Sequence, residues 1–160
     1  MDKNQLLESA KVFASRTASI SGVLEGKVEL CAAELTAALN ARPDLEELIG
    51  AGNMSVMEMN HINHFRYMNS LVALYDPKSF VETVLWVFRT YRARGFSVQY
   101  WEIMLPEAII ILRQHLGDVD YHEMGPYYEW LRDNIQTFAR LSETELSVFE
   151  ELGGKDGSHG

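Results

Sequence analysis

The chain has one cysteine, four prolines and no long apolar stretch in 160 residues, and each scarcity removes a class of answer. Cys31 has no partner with which to close an internal disulfide. With Leu30, Ala32, Ala33 and Leu35 around it, its thiol reads as a small buried hydrophobe rather than a reactive group, which suits a reducing, cytoplasmic setting. The longest apolar run, Ala108 to Leu112, falls far short of the roughly 20 residues that span a bilayer. Met1-Asp2-Lys3-Asn4-Gln5 shows neither the charged start nor the apolar core of a secretory leader. Runs of lysine or arginine are missing too: 14 basic residues against 23 acidic ones leave a formal charge of −9, which repels phosphate backbones and anionic lipid surfaces. The expected partners are a protein, a second copy of the chain or a small molecule, with no nucleic acid and no membrane. There is no Gly-x-Ser-x-Gly, no phosphate-cradling glycine loop and no His-Glu-x-x-His, so no catalytic residue is assigned and an enzyme is not expected.

What is present is helical spacing. No segment alternates with period two between hairpin turns, and the expected fold is all-α: a single-domain helical bundle, open to a globin-like arrangement, with about six main helices over residues 1–153 and a disordered tail over 154–160. A first helix is expected from Gln5 to Ile20, then Ser21-Gly22, then a second helix carrying Leu24, Val28, Cys31, Leu35 and Leu39 up to Pro43. A short acidic turn, Asp44 to Ile49, leads through Gly50-Ala51-Gly52-Asn53 to a helix over Met54–Tyr75. Asp76 as N-cap, Pro77 at the first helical position and a Tyr75–Phe80 staple open the next helix, whose wide apolar face marks it as the central element. Gly95 with Phe96 folding back on Tyr91 predicts a Schellman stop, after which Ser97 caps a helix to Leu116 that Pro106 should kink or break. Asp118 to Met124 comes next, then a helix opened by Gly125-Pro126 and running to Leu141, then a Ser142/Glu145 capping box for a last short helix to Gly153.

Several constellations compete for a functional role. Glu58 and His61 stand three apart on one helical face, as in carboxylate-bridged metal bundles, and His64 adds a second imidazole, but no second Glu-x-x-His exists to complete a di-metal set. His61 and His64 also read as core-edge imidazoles satisfied by a carbonyl or by Asn60 or Asn69. A haem globin would want a proximal histidine on the helix Pro77 to Arg94, which has none, while His115 lies on a separate helix. Trp86 shares a polar face with Lys78, Glu82 and Arg89 and, with Arg89, is the candidate contact to a partner or second copy. Arg89, Arg92 and Arg94 sit where cations offset a helix dipole, with an anion-binding cluster as the alternative. Eleven of the 17 aromatics fall between Trp86 and Phe138, and a ligand pocket is expected from His61, His64, Tyr100, Trp101 and Tyr127, against the plainer reading of an aromatic core.

The stretch His61-Ile62-Asn63-His64-Phe65-Arg66-Tyr67-Met68, followed by Phe80-Val81, Trp86 and Arg94-Gly95, resembles the haem-free, globin-like N-terminal sensory domains of RsbR-type stressosome regulators. That resemblance covers about a third of the chain and implies a dimeric signal-input or protein-docking domain. The first functional reading is accordingly a helical sensory, regulatory or protein-interaction module with no cofactor. The alternative is a small metal- or haem-binding helical protein using Glu58, His61 and His64.

Overall fold

The computed structural model describes residues 1–14 and 22–143, and among these every regular element is helical. Eight α-helices follow one another: α1 (Lys3–Ala10), α2 (Val28–Asn40), α3 (Leu45–Ile49), α4 (Met54–Ala73), α5 (Pro77–Ala93), α6 (Val98–His115), α7 (Asp118–Asp133) and α8 (135–143), with a 3-10 turn over Lys11–Phe13. The all-α expectation holds. The expected tail, the helix ending at Gly153 and Glu145 of the capping box lie outside the described residues.

Local chemistry sets the best-placed boundaries. The Asp76 carboxylate accepts the Ser79 N–H at 2.9 Å, Pro77 occupies the first turn, and Tyr75 meets Phe80 edge to face at 5.8 Å. At the other end of α5 the Schellman pair is complete: Gly95 N–H donates to Arg92 and Phe96 N–H to Tyr91, with the Phe96 and Tyr91 rings 5.1 Å apart. Gly95 adopts φ +112° and its backbone lies against Gly50, itself at φ +85°. The Asn53 amide donates to Ile49 and Arg94 carbonyls, both at 2.8 Å, and so stitches the two glycine turns together.

Other boundaries differ from expectation. The first helix stops at Ala10, where the Tyr75 hydroxyl takes the Ala10 carbonyl at 2.5 Å and the chain tightens into the 3-10 turn; residues 15–20 of the expected helix lie outside the described set. The second begins at Val28, because Leu24 sits in a turn with its N–H held by Asn69 Oδ1 at 2.9 Å. Neither proline interrupts its helix: α6 runs unbroken past Pro106, and α7 runs unbroken from Asp118 past Pro126, so no new helix starts at Gly125. The residues whose carbonyls each ring releases, Glu102 and His122, are exposed, where water can take the freed acceptor. The break falls instead at Asn134, whose amide returns to the Trp130 carbonyl at 2.7 Å. Ser142 is not an N-cap but a buried residue within α8, its hydroxyl donated back to Ala139.

The core is also centred elsewhere. α5 buries one face, Phe80, Val81, Val84, Leu85 and Phe88, and leaves another in solvent. The central element is α6, which packs on α2, α3 and α7 and buries Tyr100, Trp101, Met104, Leu105, Ala108, Ile109, Ile111 and Leu112 around most of its circumference. Burying a side chain of this size contributes about 1.5–3 kcal/mol. A continuous aromatic layer, from Phe13 through Tyr127, Phe80 and Trp130 to Phe138, Phe88 and Trp101, ties the 3-10 turn, α5, α6, α7 and α8 into that core.

Candidate functional site: a cavity between α4, α5 and α6

A cavity of about 240 Å³ lies where α5 leans on α4 and α6, with Leu131 of α7 in its wall. Its two sides differ in chemistry. α4 contributes Asn60, Asn63, His64 and Tyr67, a polar stripe at the spacing of one helical face. α5 and α6 contribute Val84, Val87, Phe88, Trp101, Met104 and Leu105, an apolar wall stiffened by the Phe88–Trp101 stack at 4.1 Å, to which α5 adds two polar side chains, Thr83 and Tyr91. Among the described residues, no aspartate, glutamate, lysine or arginine lines it. Trp86 is in the wall and 56% exposed, so the cavity reaches the surface beside that indole.

Behind the polar stripe runs a buried hydrogen-bond chain. Asn60 Nδ2 donates to the Tyr100 hydroxyl at 2.9 Å, that hydroxyl lies 2.9 Å from His61 Nε2, and His61 Nδ1 lies 2.8 Å from Thr36 Oγ1 on α2. An amide nitrogen only donates, so the Tyr100 oxygen is an acceptor there and its own proton needs another partner. The arrangement that satisfies every group is Tyr100 O–H donating to an unprotonated His61 Nε2, with His61 Nδ1–H donating to Thr36. The chain then has one direction, from the cavity wall through the core to α2.

Burial lowers the pKa of His61 to about 3, with His64 adding to the effect, and desolvation lowers that of His64 to about 4, so both imidazoles are neutral near pH 7. The two differ in their bonding. His61 has both nitrogens engaged, whereas His64 Nε2 is enclosed without a partner, as is the hydroxyl of Tyr128, whose ring meets the His64 ring at 5.2 Å. Burial also raises the Tyr128 hydroxyl well above its ordinary range, and Tyr100 is raised for the same reason.

Of the residues expected to form a pocket, the structure brings His64 and Trp101 to the cavity and sets His61 and Tyr100 in the chain behind it. Tyr127 is a correction. It is buried 4.4 Å from Phe13 and 5.3 Å from Tyr75, in the aromatic layer where the end of α4 meets the start of α5, and does not line the cavity. The set Glu58, His61 and His64 does not converge. Glu58 is exposed on a groove between α2 and α4, on the far side from the cavity, and among the described residues no three His, Cys, Asp or Glu side chains stand together as metal ligands. Of the arginines, Arg92 donates to the Ala139 carbonyl of α8 at 2.9 Å and pairs with Glu143 at 2.8 Å, so it is not part of an anion cluster. Cys31 is fully buried and its thiol pKa is raised, first by desolvation.

Sequence reasoning missed Asn60, Asn63 and Tyr67 as a set, and Thr36 as the partner of His61. The i, i+3, i+4, i+7 run of polar groups through Asn60, Asn63, His64 and Tyr67 was the available signal. Nothing in the sequence marked Thr36, which meets His61 only because α2 packs across α4.

Compared with models of known protein families, with curated proteins and with solved structures, the chain matches none of them. No helix among the described residues is long and apolar enough to cross a membrane.

Proposed function

We propose that this is a cytosolic sensory or regulatory module that holds a small molecule in the α4–α5–α6 cavity and signals its presence through a contact between two copies of the chain at Trp86 and Arg89. The observation that carries this reading is the double position of Trp86, which lines the cavity and is also the largest exposed apolar side chain on α5. An occupant that shifts the indole alters the outer face directly.

The α5 face suits a second copy. Lys78, Glu82 and Trp86 are exposed and Arg89 is half-buried on one helical stripe. Two copies of α5 crossing antiparallel near Trp86 set Glu82 of one against Arg89 of the other, twice by symmetry, with the two indoles between them. The earlier resemblance to stressosome sensory domains is in keeping with a dimeric input module. The metal- or haem-binding alternative gains no support, since its three side chains face three different surroundings.

Sedimentation velocity over a range of concentrations tests the contact. The wild type is expected to self-associate, and Trp86→Ala to weaken that association about 30-fold, the loss of a contact worth about 2 kcal/mol. Equal association of the two proteins, or a wild type that stays monomeric throughout, would remove the dimer from the proposal.

A further inference from the structure

The cavity's own chemistry narrows its occupant, on the premise that the reading above is right in making it a binding site. We infer that it takes an uncharged, largely apolar molecule of one-ring to two-ring size that carries a single hydroxyl, with the ring between Trp101 and Val87 and the hydroxyl bonded to the His64 imidazole.

Size comes first. A dry apolar cavity of about 150 Å³ accommodates benzene, so about 240 Å³ leaves room for a substituted ring. Charge is the second constraint. With no ionic side chain in the wall among the described residues, an ionised ligand would lose its hydration and gain no counter-charge there, a large penalty. The third is the uneven spread of polar groups: α4 supplies a stripe of four, while α5 adds Thr83, whose side chain is already bonded to Tyr67, and Tyr91. An occupant that is apolar throughout would bury the α4 stripe against hydrocarbon, whereas one with a polar edge matches the stripe and lays its ring on the apolar wall.

Within that stripe the groups are not equivalent. Asn60 already spends Nδ2 on Tyr100, and Asn63 is exposed. His64 lines the cavity and has an unpartnered nitrogen, the enclosed Nε2, which a turn of the ring would bring to an occupant's hydroxyl, and such groups in folded proteins ordinarily find a partner. A neutral imidazole can either donate or accept, and a hydroxyl meets both cases.

Isothermal titration calorimetry of the full chain with p-cresol, toluene and 4-methylbenzoate at pH 7.5 separates the constraints. The expected order is p-cresol about tenfold tighter than toluene, the worth of one hydrogen bond, and no binding of the anion. His64→Leu should bring p-cresol down to the level of toluene and leave toluene unchanged. Val87→Phe, which fills the cavity from the α5 side without touching α4, should abolish the binding of both, and circular dichroism checks that each variant is folded. If toluene equals p-cresol in the wild type, the hydroxyl anchor is wrong. If 4-methylbenzoate binds best, the uncharged class is wrong, and in both cases the cavity survives as a binding site. Binding of p-cresol that Val87→Phe leaves intact places the ring elsewhere and overturns the inference, as does the failure of all three probes to bind. The sedimentation result for Trp86→Ala stands apart from every one of these outcomes.

Discussion

Acidification from pH 7.5 to pH 5.0 should destabilise this protein by an amount that two residues determine. His61 and His64 titrate near 6.5 when unfolded but at about 3 and about 4 when folded, because the interior disfavours the imidazolium. Above pH 6.5 both states hold the neutral rings and stability is at its full value. As pH falls below 6.5 the unfolded chain takes up two protons that the native chain refuses, and stability drops until the folded values are reached. Between pH 7.5 and 5.0 each histidine contributes a loss of about 2 kcal/mol, so the pair contributes about 4 kcal/mol, much of the stability of a typical domain. The depressed carboxylates, Asp44 and Asp76, stay ionised over that interval in both states and do not confound it. Urea unfolding followed by circular dichroism at half-unit pH steps gives the slope. The wild type should lose nearly two protons' worth per pH unit near pH 5.5, and His64→Leu, which removes one of the two titrating rings, about half as much. A slope in His64→Leu equal to that of the wild type would mean that the His64 ring is protonated or solvated in the native state, and the account of the cavity wall would fall with it.

Two further changes probe the scaffold around the cavity. Tyr100→Phe removes the hydroxyl that joins Asn60 to His61 and leaves two buried polar groups facing hydrocarbon, a cost of about 1–3 kcal/mol in urea unfolding at pH 7.5. In the same variant the 15N spectrum should lose its Nδ1-protonated signature for His61; a wild type that shows Nε2 protonated instead would reverse the direction of the chain. Asp76→Ala deletes the α5 cap and should cost about 1 kcal/mol, with Asp76→Asn restoring most of it; no difference between the two variants would deny the cap its role.

Much of the fold was legible because its signals are local. The Asp76-Pro77 start and the Gly95-Phe96 stop each rest on groups within six residues, and both stand as read. What failed was whatever depended on the far side of a helix. Pro106 and Pro126 are helix breakers by propensity, yet each is tolerated because the residue one turn back is exposed, and exposure is a tertiary property. At Ala10 the first helix gives way to a 3-10 turn where a tyrosine hydroxyl 65 residues away binds its carbonyl, and the wide apolar stripe of α5 does not show that α6, the helix after it, buries more of its circumference.

The site shows the same division more sharply. His61 and His64 stand three residues apart on one helix, and sequence alone treats them as a pair. The structure gives them opposite fates, since α2 and α6 close on His61 and satisfy both nitrogens, while the gap left under α5 keeps His64 beside open space with an unpartnered one. A rotation of about 100° per residue carries His64 some 300° round from His61, onto the neighbouring face where α5 packs. It is this turn of the helix that satisfies one histidine within the core and, on the proposal above, leaves the other to a ligand, and the unequal response of His61→Gln and His64→Leu in the p-cresol titration, strong for the second and weak for the first, is the consequence by which it can be judged.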